Sequence, residues 1–556
     1  MHAQEGIRHG DRHFNIDQQF IAVSDAHGGS VDQPRFGHMF ERLKLPAFEA
    51  PPAQFDGPEP LEALAAYMAW EDQLEDPSAD SGIPAGYTIL GQFITHDLTF
   101  NNRSLDGVPD GRGPVRNYRS PAFDLDSVYG PSPQLFITPP SDPLTGKMNF
   151  RASPDGLQPD DLPRFMAEEQ SGGLLRFADE QALIGDVRND DNVLISQLHL
   201  AFLKLHNRFV DDIDQGRIRA DAVPGETNFD KARYLCQWHY QWVVVNDYLP
   251  RIVGQEMIDD ILQVKGREAA TFDLRFYTPE YITPPTIPYE FSAAAFRFGH
   301  TMIRSLYHIN DGGPLPLFGY SSGDSRHLGG RRRLDASLVV DWSRLFTDLP
   351  RPITLASDLK FTRNFARKID SHLTKVLRRL PDSTLPPGPD FDIKSLALRD
   401  LQRGVELGLP SGQDVAKAMG IKPLDTAQLG LQDLRWEGDV PLWFYILKEA
   451  ELTEVEKEVE VEKEVDGEMK VQVEKVTVTG EELGPVGGRI VAEVILGLLQ
   501  CDGDSYLNTM PEFDPTDPPW RVYDEAEGSE PTNPYRPVNG EKFTMADLLR
   551  RAGVSA

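Results

Sequence analysis

From about residue 60 to 445 the apolar residues recur mostly at helical spacing, and this pattern leaves the chain few folds to choose from. Leu194, Ile195, Leu198, Ala201, Phe202, Leu205 and Phe209 fall on one face at a period near 3.6 residues. A strand alternates sides at every residue and does not produce that series. The spacing therefore predicts a mainly α protein. Long Pro/Gly-rich loops separate the helical stretches, and those at 308–336 and 376–390 exceed the usual length, which marks segments that wrap a body or serve a site. The sequence has no fixed-period repeat, so a solenoid is excluded.

A chain of 556 residues is long enough for three or four average domains, or for one large enzyme core with additions. Acidic side chains (87) outnumber basic ones (56), and the net charge of −31 repels phosphate backbones and anionic lipid surfaces. No nucleic-acid partner is expected. Cys236 and Cys501 allow one bridge at most, so no disulfide framework carries the fold. The start, MHAQEGIRHGDRHFNID, has no basic stretch followed by an apolar one, and no run reaches the roughly 18 apolar residues of a membrane span. The expected location is cytoplasmic, or exported without a cleavable signal peptide.

Four regions are expected along the chain. Residues 1–60 are polar and then rich in proline, which suits an irregular arm wrapped over a body. Residues 61–448 are expected to form the main helical body. The segment 449–482 carries 13 acidic against 4 basic residues, and its valines alternate with charges on either side of Asp466-Gly467. That dipeptide between alternating runs predicts a projecting β-hairpin with one apolar stripe and one charged face. Residues 483–556 return to the core through VGGRIVAEVILGLLQ and end in a short helix, TMADLLRRAG.

Five segments carry residues with chemical potential. In GQFITHDLTF, Gln92 and His96 stand at i and i+4 amid apolar neighbours, a small polar site in an apolar wall, while Asp97 faces away. In RSPAFDLDSVYG, Ser120, Ala122, Asp124 and Asp126 alternate, offering a hydroxyl, a carbonyl and two carboxylates of the kind Ca²⁺ prefers, with Asp97 as a third carboxylate. An ordinary acidic loop reads the same way. Arg188 precedes the amphipathic helix of GDVRNDDNVLISQLHLAFLKLHNRF, expected to begin with acidic residues in its first turn. In AAAFRFGHTMI, His300 and Arg297 share an apolar helix whose Ala293, Ala294 and Gly299 admit a flat group. Asp400 and Arg403 follow at helical spacing in LALRDLQRGVELGLPSG.

In this order the five segments resemble the animal-type heme peroxidase family, the myeloperoxidase-like branch of the peroxidase-cyclooxygenase superfamily, in a bacterial-type form without a signal peptide. The resemblance implies a helical fold around a buried heme. It places the distal histidine on His96, the glutamine a turn earlier on Gln92, and the distal arginine on Arg188. The iron-ligating histidine falls on His300, the arginine beside a heme propionate on Arg297, and the acceptor of the proximal imidazole N–H on Asp400. Calcium falls on Asp97, Ser120, the Ala122 carbonyl, Asp124 and Asp126.

Three positions depart from the mammalian pattern of heme esters and a sulfonium link. They hold Thr95, Asp191 and Asn192, of which Asp191 alone carries a carboxylate. The resemblance thus implies heme b bound noncovalently, or by one ester through Asp191. The implied reaction is heterolytic cleavage of hydrogen peroxide, with a His96 imidazole near its reference pKa of about 6.5 moving the proton, followed by oxidation of a small organic or (pseudo)halide donor. One alternative is a fatty-acid dioxygenase of the same superfamily, but the position of its radical-forming tyrosine is Arg297. The other is a heme-less calcium-dependent binding protein. Oligomeric state is not legible.

Overall fold

The apolar face around Leu194 becomes the longest described helix and the hub of the core. In a computed structural model the described residues are 36–53, 58–69, 77–100, 117–130, 141–142, 145–152, 159–164, 182–265, 268–279, 285–319, 326–346, 364–381, 394–465, 468–516, 537 and 542–554. The main helices are α1 (Pro60–Met68), α2 (Gly86–Leu98), α3 (Val193–Asp214), α4 (Asn228–Val243), α5 (Leu396–Glu406), α6 (Leu442–Leu452), α7 (Pro485–Cys501) and α8 (Met545–Arg551). Strands are short: β1 (Asp80–Pro84) pairs antiparallel with β2 (Phe365–Arg367), and β3 (Glu454–Val465) with β4 (Glu468–Thr479). The mainly α expectation holds.

Aromatic packing sets the centre. Phe93 of α2 stacks on Phe202 of α3 with ring centroids 4.8 Å apart, and Tyr240 of α4 meets both rings edge-on at 5.9 and 5.7 Å. All three rings are buried, and burying side chains of this size stabilises by about 1.5–3 kcal/mol each. Helix starts follow local chemistry. Pro60 and Pro485 open α1 and α7, where a missing N–H costs nothing, and Thr544 with Asp547 closes a capping box on α8, the short helix expected there. The start of α3 differs from expectation. Asn192 is its cap, accepting from Ile195 N at 2.9 Å, so Asp190 and Asp191 fall before the helix rather than in its first turn.

The acidic hairpin is present as β3 and β4, with its expected turn at 466–467 outside the described residues. Its backbone register sets Val459 opposite Glu474 and Val461 opposite Gln472. The side chains of 458–474, and with them the expected apolar stripe, lie outside what the structure describes. The flanks of the expected 449–482 insertion belong to the body. Glu449 lies in α6 and accepts from Val486 N (2.9 Å) and Gly487 N (3.3 Å) at the start of α7, while buried Glu481 accepts from Gly82 N of β1 at 2.8 Å. Of the arm, residues 1–35 and 54–57 lie outside the described set. Phe36–Gly37 runs parallel to Ile287–Pro288, and Phe48 N donates to Leu409 O at 2.8 Å. Among the described residues, no helix is long and apolar enough to cross a membrane.

Candidate functional site

Helix α2 brings Gln92 and His96 to one face, as their spacing predicts. Gln92 Oε1 accepts from Asn192 Nδ2 at 3.2 Å, which ties it to the cap of α3. His96 Nδ1 lies 2.9 Å from Asn189 Oδ1. Burial, reinforced by the nearby Arg188 charge, pushes the His96 pKa down to about 3, well below the ordinary value expected from sequence. Its imidazole is neutral at physiological pH.

Arg188 sits in the 3-10 turn Val187–Asp190. Its Nε and Nη2 donate to Asp186 at 3.0 and 2.6 Å, and Nη2 also reaches the carbonyls of His96 (3.0 Å) and Thr99 (2.7 Å). The guanidinium lies 4.6 Å over the Phe100 ring. Arg119 also donates Nε and Nη2 to Asp186, at 3.0 and 2.6 Å. Burial alone would raise the Asp186 pKa, but Arg119 and Arg188 hold it well below the carboxylate range. Gly185 permits this closure. A Cβ there would lie 2.7 Å from Ser127 O and 2.9 Å from Asp126 O, so any other residue would force the Asp186–Arg188 turn off the acidic loop.

Carboxylate oxygens of Asp97, Asp124 and Asp126 lie within 4.8 Å of one another. Ser120 Oγ donates to Asp124 Oδ2 (2.8 Å), Ser120 N to Asp126 Oδ2 (2.9 Å), and Asp97 accepts from Ser127 Oγ (3.0 Å) and Leu125 N (3.3 Å). Ala122 lies midway along this loop. Leu125 adopts a left-handed backbone (φ 57°), rare for a residue with a branched side chain, and the backbone donors around it turn toward the cluster. Burial raises all three carboxyls, Asp126 to about 7, with mutual repulsion adding for Asp97 and Asp126. Among the described residues buried Asp126 Oδ1 has no hydrogen-bond partner, with Arg119 Nη1 3.5 Å away. An orphaned oxygen among crowded, hard-oxygen donors fits a divalent cation such as Ca²⁺.

Arg297 and His300 lie on the 3-10 segment Ala295–His300, not on the α-helix expected, and three residues per turn align them. Both engage Asp400 of α5: His300 Nδ1 is 2.6 Å from Oδ2, and Arg297 Nη1 donates to Oδ1. Asp400 is buried, which would raise its pKa, yet Arg297 and His300 hold it below the ordinary range. With Nδ1 committed, His300 presents Nε2, and its imidazole keeps 31% exposure although α2, α6 and α7 all pack on its segment. Among the described residues a Cβ on Gly299 would meet nothing within 4 Å. Arg399 and Arg403 crowd near Arg297, and burial followed by this repulsion lowers the Arg403 pKa. A flat, anionic group with a metal at its centre fits a half-open imidazole beside a glycine and the clustered guanidinium groups of Arg297, Arg399 and Arg403.

A family model described as animal haem peroxidase matches residues 109–435, more than half of the chain. The chain belongs to the animal haem peroxidase family. Membership implies heme binding, and the matched stretch contains Arg119, Asp124, Asp126, Arg188, His300 and Asp400, whereas Gln92, His96 and Asp97 precede it. This animal haem peroxidase chain is 33% identical over 124 residues to the peroxidasin homologue pxn-2 of Caenorhabditis elegans, covering 22% of this chain and 8% of that protein. It is 27% identical over 247 residues to thyroid peroxidase of Sus scrofa, covering 44% and 23% respectively. Each match thus spans less than a third of the relative's length. The fold is similar to that of peroxidase A from Dictyostelium discoideum, with a TM-score of 0.56 at 14% identity over 95% of both chains.

Sequence-derived residues fall into two constellations, His96 with Gln92 and Arg188, and His300 with Arg297 and Asp400. Asp191 feels the Arg188 charge but pairs with Arg331. Its carboxylate accepts from Arg331 Nε (3.1 Å) and Nη2 (2.6 Å). Arg119, Asp186, Asn189 and His199 escaped sequence reasoning. For Arg119 a signal existed, a cation directly preceding an acidic loop. Asn189 reaches a partner 93 positions away and had none.

Proposed function

We propose that this protein is a heme peroxidase that reduces hydrogen peroxide by heterolytic O–O cleavage and oxidises a small organic or (pseudo)halide donor. The observation that carries this reading is the His300–Asp400 contact of 2.6 Å, which commits Nδ1 and leaves Nε2 of a half-open imidazole as the atom that would hold heme iron. Heme held there would supply the redox chemistry that peroxide reduction and donor oxidation both need. Asp400 takes the Nδ1–H hydrogen bond and makes His300 a more basic ligand. Arg297 and Arg403 suit the propionates. Neutral His96 accepts a proton from peroxide at Nε2 and gives it to the departing oxygen. Arg188, fixed by Asp186 and two carbonyls, offers its charge to the oxygen on which charge develops.

Calcium bound by Asp97, Ser120, the Ala122 carbonyl, Asp124 and Asp126 would hold the end of α2 and so the placement of His96. Heme b is held without a covalent link, because the Asp191 carboxylate is engaged by Arg331 and Thr95 and Asn192 offer no carboxylate or thioether. The position that would carry a dioxygenase tyrosine is Arg297, paired with Asp400.

An absorption spectrum of the purified protein before and after stoichiometric hydrogen peroxide tests cofactor and reaction together. A Soret band that shifts on peroxide addition and returns with an added donor is expected. A heme-loaded protein whose spectrum ignores peroxide would refute the reading. Acidified organic solvent should extract the heme; pigment that stays with the chain would overturn noncovalent binding.

A further inference from the structure

We propose that Asn189 is a positioning residue for His96, held in its working orientation by His199. The proposal rests on reading His96 as the group that moves the peroxide proton. A neutral imidazole has one N–H and one lone pair, and only the lone pair accepts a proton. Asn189 Oδ1, 2.9 Å from His96 Nδ1, accepts the N–H there and so leaves the lone pair on Nε2. The amide is itself anchored. Asn189 N donates to Asp186 O at 3.0 Å, and Nδ2 lies 3.0 Å from His199 Nδ1.

His199 is fully buried on α3, two turns beyond the Asn192 cap. Accepting at Nδ1 puts its own proton on Nε2, and that atom has no partner among the described residues. A buried donor left unsatisfied is unfavourable. The tautomer is nonetheless the one that directs the Asn189 carbonyl toward His96. Turned around, the amide would place an N–H against His96 Nδ1, force the proton onto Nε2 and occupy the atom that must accept. The three residues therefore act as a relay of orientation built from neutral side chains.

The test uses the heme-loaded full-length protein and two rates: the Soret change with hydrogen peroxide, and association of cyanide, whose acid form also gives up a proton on binding. If wild type ignores peroxide, the functional reading fails, while the cyanide rate still decides the role of Asn189. Asn189→Leu should lower both rates roughly tenfold or more, at unchanged heme content and unchanged KM for the donor. Asn189→Asp keeps an acceptor oxygen without an N–H and should remain within about threefold of wild type. His199→Leu should fall between the two. Wild-type rates in Asn189→Leu would overturn the proposal, as would rates in Asn189→Asp as low as those of the leucine variant, because an N–H would then be what His96 meets. Should Asn189→Leu fail to load heme, slow rates in Asn189→Asp or wild-type rates in His199→Leu would overturn it equally.

Discussion

The Arg119 guanidinium donates to Asp186, 67 positions away, through Nε and Nη2 at 3.0 and 2.6 Å. Its remaining nitrogen lies 3.5 Å from Asp126 in the acidic loop. One buried cation therefore joins the loop proposed to bind calcium to the carboxylate that holds Arg188. Arg119→Leu should strip this partner from two buried carboxylates and cost about 3–5 kcal/mol of stability. Denaturant unfolding checks it. A loss below about 1 kcal/mol, the level of an exposed pair, would show that the link carries little.

His300→Ala should abolish stable heme binding, because the iron then lacks its axial nitrogen. Asp400→Leu should retain some heme but lower its affinity, since His300 loses its acceptor and Arg297 its counter-charge. Heme titration of the two variants checks the order. Equal affinity in wild type and Asp400→Leu would remove Asp400 from that role.

One calcium per chain is expected at Asp97, Ser120, Ala122, Asp124 and Asp126, with oxygen distances of about 2.3–2.6 Å. Asp124→Ala should release it and slow the peroxide reaction through the adjoining end of α2. Elemental analysis reporting the same calcium content in the variant would reject the site.

Replacing residues 454–479 with a short Gly/Ser linker should preserve heme content, since none of the proposed site residues lies in β3 or β4. Removing 449–482 should instead prevent normal folding, because Glu449 caps α7 and Glu481 holds β1. The ratio of soluble, heme-loaded protein in the two deletions checks this. Equal yields would place 449–453 and 480–482 outside the body.

Burial raises the Glu449 pKa from 4.5 to about 7 against the pull of the two amides it accepts from. A raised carboxyl leaves stability intact below about pH 4.5, where both states are protonated, and loses it as pH rises through about 7, because the unfolded chain ionises first. Glu449→Gln does not titrate. Relative to that variant, wild type should lose on the order of 3 kcal/mol between about pH 4.5 and pH 8. A difference that stays constant across this range would mean that folding does not raise the Glu449 pKa.

Residue type and local spacing determined much of this protein on their own. The period of Leu194 to Phe209 fixed a helix, the Gln92–His96 interval one face, and the alternation around Asp466-Gly467 two strands, because each depends on neighbours a few positions away. Arg297 and His300 were legible as a pair, although the tight 3-10 winding that aligns them was not. Tertiary structure decided the partnerships. That Asn189 faces His96, that Arg119 joins Asp186 to Asp126, and that Arg331 engages Asp191 are contacts between distant segments, and hydrogen-bonding capacity alone does not choose among the many polar side chains available. The His96 pKa and the register of β3 against β4 were likewise outside local reach, the first because burial is a property of the whole fold, the second because pairing decides which alternating positions share a side.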